Sequence, residues 1–408
     1  MRRPAPECMV GPMTPPKTTE PTPEDTAALA AERLRLRLTT RHLAGAGPSH
    51  PADELEAVAA WLREHGDQGA GAGVTPGLQQ DVYGTGAVVE DFEAEVAGLF
   101  DLPAARFMPS GCMAQPIALR IWSDRAGNPS TAFHATSHLE LHEEHGYREL
   151  HGLTAHLVGD ATRPTLAADV AALIGPGGAA EATGLASLLV ELPAREIGGQ
   201  LPTWDELVAL SELCRAKGIR LHLDGARVWQ AAPAYGKSLA EVAALFDSVY
   251  VSFYKDVGAL SGAMLLGPRD FIDEAAVWQR RQGGTLYSAL ANVVSARRRL
   301  AACIERMPRL VERARGVAAI FSAHDRARVL PDPPHTSMFH LELEGDIGEL
   351  LEARDRVATE LGIWLFGGLR PGNADGGPTV ARTELSMGAA SLELGDDELR
   401  AAIALLLA

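Results

Sequence analysis

Between residues 88 and 254, short apolar segments of two periodicities take turns, and this order constrains the fold more than any other feature. VVEDFEAEVAGLF places Val88, Val89, Phe92, Val96, Leu99 and Phe100 at helical spacing. Strand candidates follow at ARFMP, TAFHA, AHLVG, SLLVEL, IRLHLD and SVYVSFY, with helix-like segments between the last three. Strands that are apolar along their whole length need cover on both faces. Alternation with helices therefore predicts an α/β fold around a mainly parallel sheet.

The flanks differ. Residues 1–26 are rich in Pro and Thr and read as a mobile tail. AALAAERLRLRLTTRHLA is helix-forming, and GDQGAGAGVTPGLQQ is a glycine-rich loop. After about residue 290 come an arginine-rich helix, strands around HTSMFHLEL and ARTELSM, and a terminal helix, which together read as a smaller α+β domain. The predicted division is a tail (1–26), a large domain with an N-terminal helical segment (27–290) and a small domain (291–408).

With 408 residues, 46% of them hydrophobic, the chain can bury a large core. A formal charge of −16 argues against nucleic acid or an anionic membrane as partner and suits an enzyme acting on small molecules. Cysteines 8, 112, 214 and 303 form no CxxC spacing, so a reducing cytoplasm is the expected compartment. No apolar run is long enough to predict a membrane span.

The strand SVYVSFY delivers Lys255, one of only four lysines beside 33 arginines. An amine can lose its proton and act as a nucleophile, whereas a guanidinium cannot. Asp224 ends IRLHLD, and Ser110-Gly111 follows the strand RFMP and leads into a helix. Taken singly, these are an edge charge, a cap and a turn. Together, at the carboxyl ends of strands where α/β proteins bind ligands, they match the needs of pyridoxal phosphate. Its aldehyde needs a lysine, its ring nitrogen a carboxylate, and its phosphate the backbone N–H groups of a helix N-terminus.

The stretch LHLDGARVWQAAPAYGKSLAEVAALFDSVYVSFYKDVGALSGAMLLGPRDFI resembles the cofactor-lysine region of the threonine aldolases, in the β-eliminating lyase group of fold-type I pyridoxal-phosphate enzymes. DVYGTGAVVEDFEAEVAGLF and FMPSGCMAQ extend the resemblance over roughly residues 80 to 290. It implies a large domain built on a mainly parallel seven-stranded sheet, a small C-terminal α+β domain, and a homodimer or homotetramer with shared active sites. It also implies Lys255 as the Schiff-base lysine, Asp224 as the pyridinium partner, and Ser110, Gly111 and Cys112 as the phosphate turn. Ser252 counts among the cofactor contacts, and His138 stacks on the ring. Arg227 and Arg382 hold the substrate carboxylate. The implied reaction is cleavage of a β-hydroxy-α-amino acid to glycine and an aldehyde. The alternatives are β-elimination or transaldol chemistry on a related amino acid, and a silent relative that binds without turnover.

Several positions depart from the family pattern. Ala194 stands where relatives commonly carry a histidine, Asp256 where many have glycine, and Tyr287 where an arginine reaches the phosphate of the neighbouring subunit. The early serine motif is not recognisable, and Glu191, Arg195 and Glu196 are candidates to replace lost contacts. HLELHEEH offers a rival reading, since His138, His142 and His145 at i, i+4 and i+7 would share a helical face and present imidazoles to a metal. No further ligand cluster accompanies them, and no metal is expected.

Overall fold

The computed structural model describes residues 23–65, 81–372 and 379–408. The glycine-rich loop and residues 1–22 of the expected tail lie outside the described residues. Residues 23–26 belong to a helix, Pro23–Thr39, which is followed by the two-residue strand β1 (Arg41–His42).

The sequence's apolar runs become β2 (Ala104–Met108), β3 (Ser130–His134), β4 (Thr154–Val158), β5 (Ser187–Glu191), β6 (Arg220–Gly225), β7 (Ser248–Ser252) and β8 (Ala263–Gly267). They form one seven-stranded sheet in the order β2-β8-β7-β6-β5-β3-β4. Every residue of β3, β7 and β8 is buried, which explains why these strands carry no polar alternation. Only β8 runs against its neighbours. The connection from β7 to β8 contains no helix, and without a crossover the chain can only return antiparallel. The helix Gly111–Ala126 leaves β2 at one edge and crosses the sheet to reach β3. On its way Trp122 Nε1 donates to Ser248 Oγ of β7 at 2.9 Å.

A four-stranded antiparallel sheet, β12-β13-β10-β9, forms the C-terminal unit from β9 (Ala327–Leu330), β10 (Met338–Glu344), β12 (Arg370–Pro371) and β13 (Val380–Ser386). Between β10 and β12 lie the helix Ile347–Leu361 and the short strand β11 (Ile363–Trp364). The N-terminal helix was expected to accompany the large domain, but it packs here instead. β1 pairs in parallel with β11, Leu36 joins Ala358 and Trp364 in a separate apolar cluster, and Arg33 Nε bonds Asp355 Oδ2 at 2.6 Å. Pairing over more than 300 residues of chain leaves no mark in local periodicity.

The 33-residue helix Leu290–Ser322 joins the two units and packs on the helices Val228–Tyr235 and Pro51–His65. Glu54 fastens the second contact, accepting from Ser295 Oγ at 2.6 Å, from Arg299 Nε at 3.0 Å and from Arg298. Burial alone would raise the Glu54 carboxyl, but the bonds from Arg299, Ser295 and Arg298 outweigh it and hold the group down at about 2. Its stabilisation is therefore complete above the ordinary glutamate range and lost as pH falls from there toward 2. Glu54→Gln should lower stability at pH 7 by about 1–2 kcal/mol, the scale of charge-assisted hydrogen bonds. In urea melts the gap to wild type should shrink progressively below pH 4.5; a gap independent of pH would contradict this account.

Candidate active site

Because β2, β3, β5, β6 and β7 point the same way, their carboxyl ends meet at one edge of the sheet. β6 delivers Asp224, which is buried and held from two sides. Gln115 Nε2, in the second turn of the helix after β2, donates to Oδ2 at 2.7 Å, and the Ala226 amide donates to Oδ1 at 3.0 Å. β7 ends at Ser252, fully buried, and the next turn carries Lys255. Among the described residues the Lys255 amine makes no hydrogen bond or ion pair, and it lies over the face of Tyr254, 5.7 Å from the ring centroid. Burial draws its pKa below the ordinary lysine value and Arg227 adds to that, while Asp224 and Glu191 oppose it. An amine in this state is closer to a nucleophile than a surface lysine is.

The turn after β2 is set by packing. Ser110 caps the helix Gly111–Ala126 with extended backbone, and Gly111 lies against the buried ring of Tyr250. A Cβ at residue 111 would come within 2.1 Å of Tyr250 Oη, so only glycine lets the helix start here. The first-turn N–H groups of Gly111 and Cys112 open the helix beside the site. The Cys112 thiol is pushed up to about 11, by desolvation and then by the nearby Glu143 carboxylate, and is a neutral group.

β3 leads into His138. Its backbone N–H donates to Glu191 Oε1 at 2.7 Å, and its Nδ1 lies 2.8 Å from Glu143 Oε1, so both the ring and the chain around it are fixed. Glu191, at the end of β5, is held above the ordinary carboxyl range by burial and by the charge of Asp224. The three-histidine metal face does not form. The helix His138–Leu141 stops after one turn, His145 adopts a left-handed backbone (φ 55°), and His142 Nε2 pairs with Glu196 Oε1 at 3.0 Å. A different donor trio, Cys112, His138 and Glu143, places its ligand atoms within 4.8 Å of one another.

A cavity of about 520 Å³ opens beside Lys255. The large unit contributes Arg227, Lys255 and Asp256, the long helix contributes Arg306, and β13 and the segment after β1 close the far side through Ser386 and Ser49. Arg227 is largely buried and lies 3.7 Å from Glu384 of β13, beyond hydrogen-bond range. Arg382 is placed otherwise than expected. On β13 it faces Glu342 of β10, directly across the antiparallel pair, and that buried carboxylate binds both Arg382 and Arg328. The residue from this strand that reaches Arg227 is instead Glu384, which also pairs with Arg195 at 2.8 Å. Tyr287 does not line the cavity. It is exposed and meets Tyr83 edge-on, with ring centroids 5.3 Å apart.

Four residues without an assigned role join the site: Gln115, Glu143, Asp256, and Gln230, whose Nε2 donates to Asp256 Oδ1 at 2.7 Å. Gln115 and Gln230 each sit in the early turns of a helix that starts at a site residue, a signal present in the sequence. Glu143 is recognisable only from its contact with His138, and Asp256 from the cavity it borders.

Comparison with known proteins agrees with this geometry. Residues 72–344 match the family model described as β-eliminating lyase. An aldolase of Penicillium aethiopicum is 32% identical over 296 residues, 71% of this chain and 74% of that protein. Among solved structures, a putative L-allo-threonine aldolase from Listeria monocytogenes is 38% identical with a TM-score of 0.82, covering 93% of this chain and 99% of that one. A putative aromatic amino acid β-eliminating lyase/threonine aldolase from Exiguobacterium is also 38% identical, with a TM-score of 0.81 over 92% and 99%.

The chain belongs to the β-eliminating lyase family.

As a member of that family it is a pyridoxal-phosphate lyase, and the site accommodates the group. An amine without a hydrogen-bond partner among the described residues, a buried carboxylate on the neighbouring strand and the helix-start N–H groups are the set that the aldehyde, ring nitrogen and phosphate require. Gly111→Ala should cost about 1–3 kcal/mol through overpacking and weaken pyridoxal-phosphate retention. Thermal melts and absorbance after dialysis measure both; wild-type retention would show that the helix start tolerates a Cβ.

Proposed function

We propose that this lyase cleaves a β-hydroxy-α-amino acid, threonine-like or phenylserine-like, to glycine and an aldehyde. The observation that carries the reading is the convergence of three groups on one cavity: the Lys255 amine, the Arg227 guanidinium and the Asp256 carboxyl. The names borne by the Penicillium and Listeria relatives support it.

Lys255, Asp224, His138, Ser252 and the helix start at Ser110, Gly111 and Cys112 are the residues that would hold pyridoxal phosphate. When bound, that group supplies the sink for the electron pair released at the substrate's α-carbon. Arg227 binds the substrate carboxylate through charge-assisted hydrogen bonds and so fixes the rotation about the substrate's Cα–N bond. That rotation selects which bond at Cα breaks. Arg382 serves this task only if it leaves Glu342, so Arg227 is the primary anchor in the arrangement described. Glu384 and Arg195 keep Arg227 in place from the C-terminal side. The exposed Tyr83–Tyr287 pair supports a second copy of the chain as a partner at this surface.

The test is product analysis of the holoenzyme with a panel of β-hydroxy amino acids, assaying aldehyde, glycine and ammonia separately. Equimolar aldehyde and glycine without ammonia, from a preparation that sediments as a dimer or larger, is the expected result. Ammonia with an oxoacid and no glycine would assign elimination instead, and an active monomer would refute the partner at the Tyr83–Tyr287 surface.

A further inference from the structure

Cleavage between Cα and Cβ requires a group that takes the proton of the β-hydroxyl. At position 194, where relatives commonly carry a histidine, the structure has a buried alanine, which can accept no proton. The carboxylates around the site are mostly occupied. Glu191 accepts from the His138 amide, Glu196 is bound by Arg195 at 2.6 Å and by His142, and Glu384 stands between Arg195 and Arg227.

Asp256 differs from all of these in lining the cavity, and it shares with Glu384 an enclosed oxygen that no hydrogen bond satisfies. It is the only acid among the described residues lining the cavity that holds Lys255 and Arg227. Of its two oxygens, Oδ1 is fixed by Gln230 Nε2 at 2.7 Å, while Oδ2 is enclosed and has no hydrogen-bond partner among the described residues. An enclosed carboxylate oxygen is costly unless something donates to it. We propose that Asp256 receives the proton of the substrate's β-hydroxyl at Oδ2, an assignment that rests on the cleavage reading above.

The step balances without a further reactant. The β-oxygen gives its proton to Oδ2 and forms the carbonyl of the departing aldehyde as the Cα–Cβ bond breaks. The electron pair of that bond remains at the α-carbon, which takes up a proton to become glycine, and Asp256 releases its own. Gln230, in the first turn of the helix Val228–Tyr235, holds Oδ1 and so leaves Oδ2 as the acceptor without a donor. The charges facing Asp256 come from every element around it: Arg227 from that helix, Lys255 from its own turn, Glu384 from β13, and Arg306, beside Cys303, from the long helix. Burial raises the carboxyl above the ordinary aspartate range against the pull of Arg227, Gln230 and Lys255. A base with a raised pKa is stronger when ionised, and activity through it falls as pH drops through that value.

Asp256→Asn in the holoenzyme separates this role from its rivals. Pyridoxal-phosphate retention and exchange of the glycine α-proton with deuterated solvent do not involve a β-hydroxyl and should stay within about twofold of wild type. Aldehyde release should fall by about 10²- to 10⁴-fold. The acid limb of kcat/KM should be lost, and Asp256→Glu should recover part of the rate. If Asp256→Asn is unstable in thermal melts, Asp256→Ser gives the same comparison with a smaller side chain. Unchanged aldehyde release with an unchanged pH profile overturns the assignment. So does a parallel fall in glycine exchange or in retention, which would mark Asp256 as structural. Wild-type protein that exchanges glycine but releases no aldehyde from any β-hydroxy amino acid overturns the cleavage reading and the assignment with it.

Discussion

Holding an amine without a partner beside a buried carboxylate is the constraint around which this molecule is organised. Asp224, at the end of β6, and Lys255, in the turn after β7, are neighbours because β6 and β7 are adjacent parallel strands, and parallel strands bring their carboxyl ends to the same edge. Close pairing would neutralise both groups, so Asp224 is satisfied elsewhere, by Gln115 and the Ala226 amide. Lys255 is then left enclosed with its pKa lowered, opposed but not cancelled by the acids nearby. The same edge receives Glu191 from β5 and His138 from the segment after β3, and their mutual bond ties the third wall to the first two.

The C-terminal unit matters because it closes this edge. β13 brings Glu384 to Arg195 and Arg227, and the segment after β1 lines the cavity because β1 is fixed to β11 in the same unit. The ends of the described chain thus meet across the site mouth, with the long helix Leu290–Ser322 as the strut between units. Glu54, bonded to Ser295, Arg298 and Arg299, fastens the N-terminal part to that strut at the cavity wall. Arg382 shows the other side of this economy. Within the small sheet its charge answers the buried Glu342, so a role at the substrate would require exchanging one carboxylate for another.

Much of this was legible in the sequence, for identifiable reasons. Fully buried strands are continuous apolar runs, so a charged residue at the end of one stands out, and Asp224 and Lys255 were visible on that ground. Gly111 was visible because a strand followed by small residues and a helix marks an anion-binding turn. What depends on pairing between distant segments was not legible. The exchange of the N-terminal helix to the C-terminal unit, the register that sets Arg382 opposite Glu342, and the cavity that makes Asp256 more than a residue beside a lysine all arise from tertiary contacts. The histidine spacing in HLELHEEH suggested a helical face that the left-handed turn at Glu144 and His145 breaks. Periodicity could not report that break, because each of those residues is tolerated in a helix.

The central claim is that Lys255 is the amine this fold prepares for a carbonyl. Borohydride reduction of the protein loaded with pyridoxal phosphate, followed by peptide mapping, tests it most directly. The account predicts one pyridoxyl group per chain, on the peptide containing Lys255, and none in Lys255→Ala. A label on Lys217 or Lys237, or undiminished labelling of the Lys255→Ala protein, would contradict it.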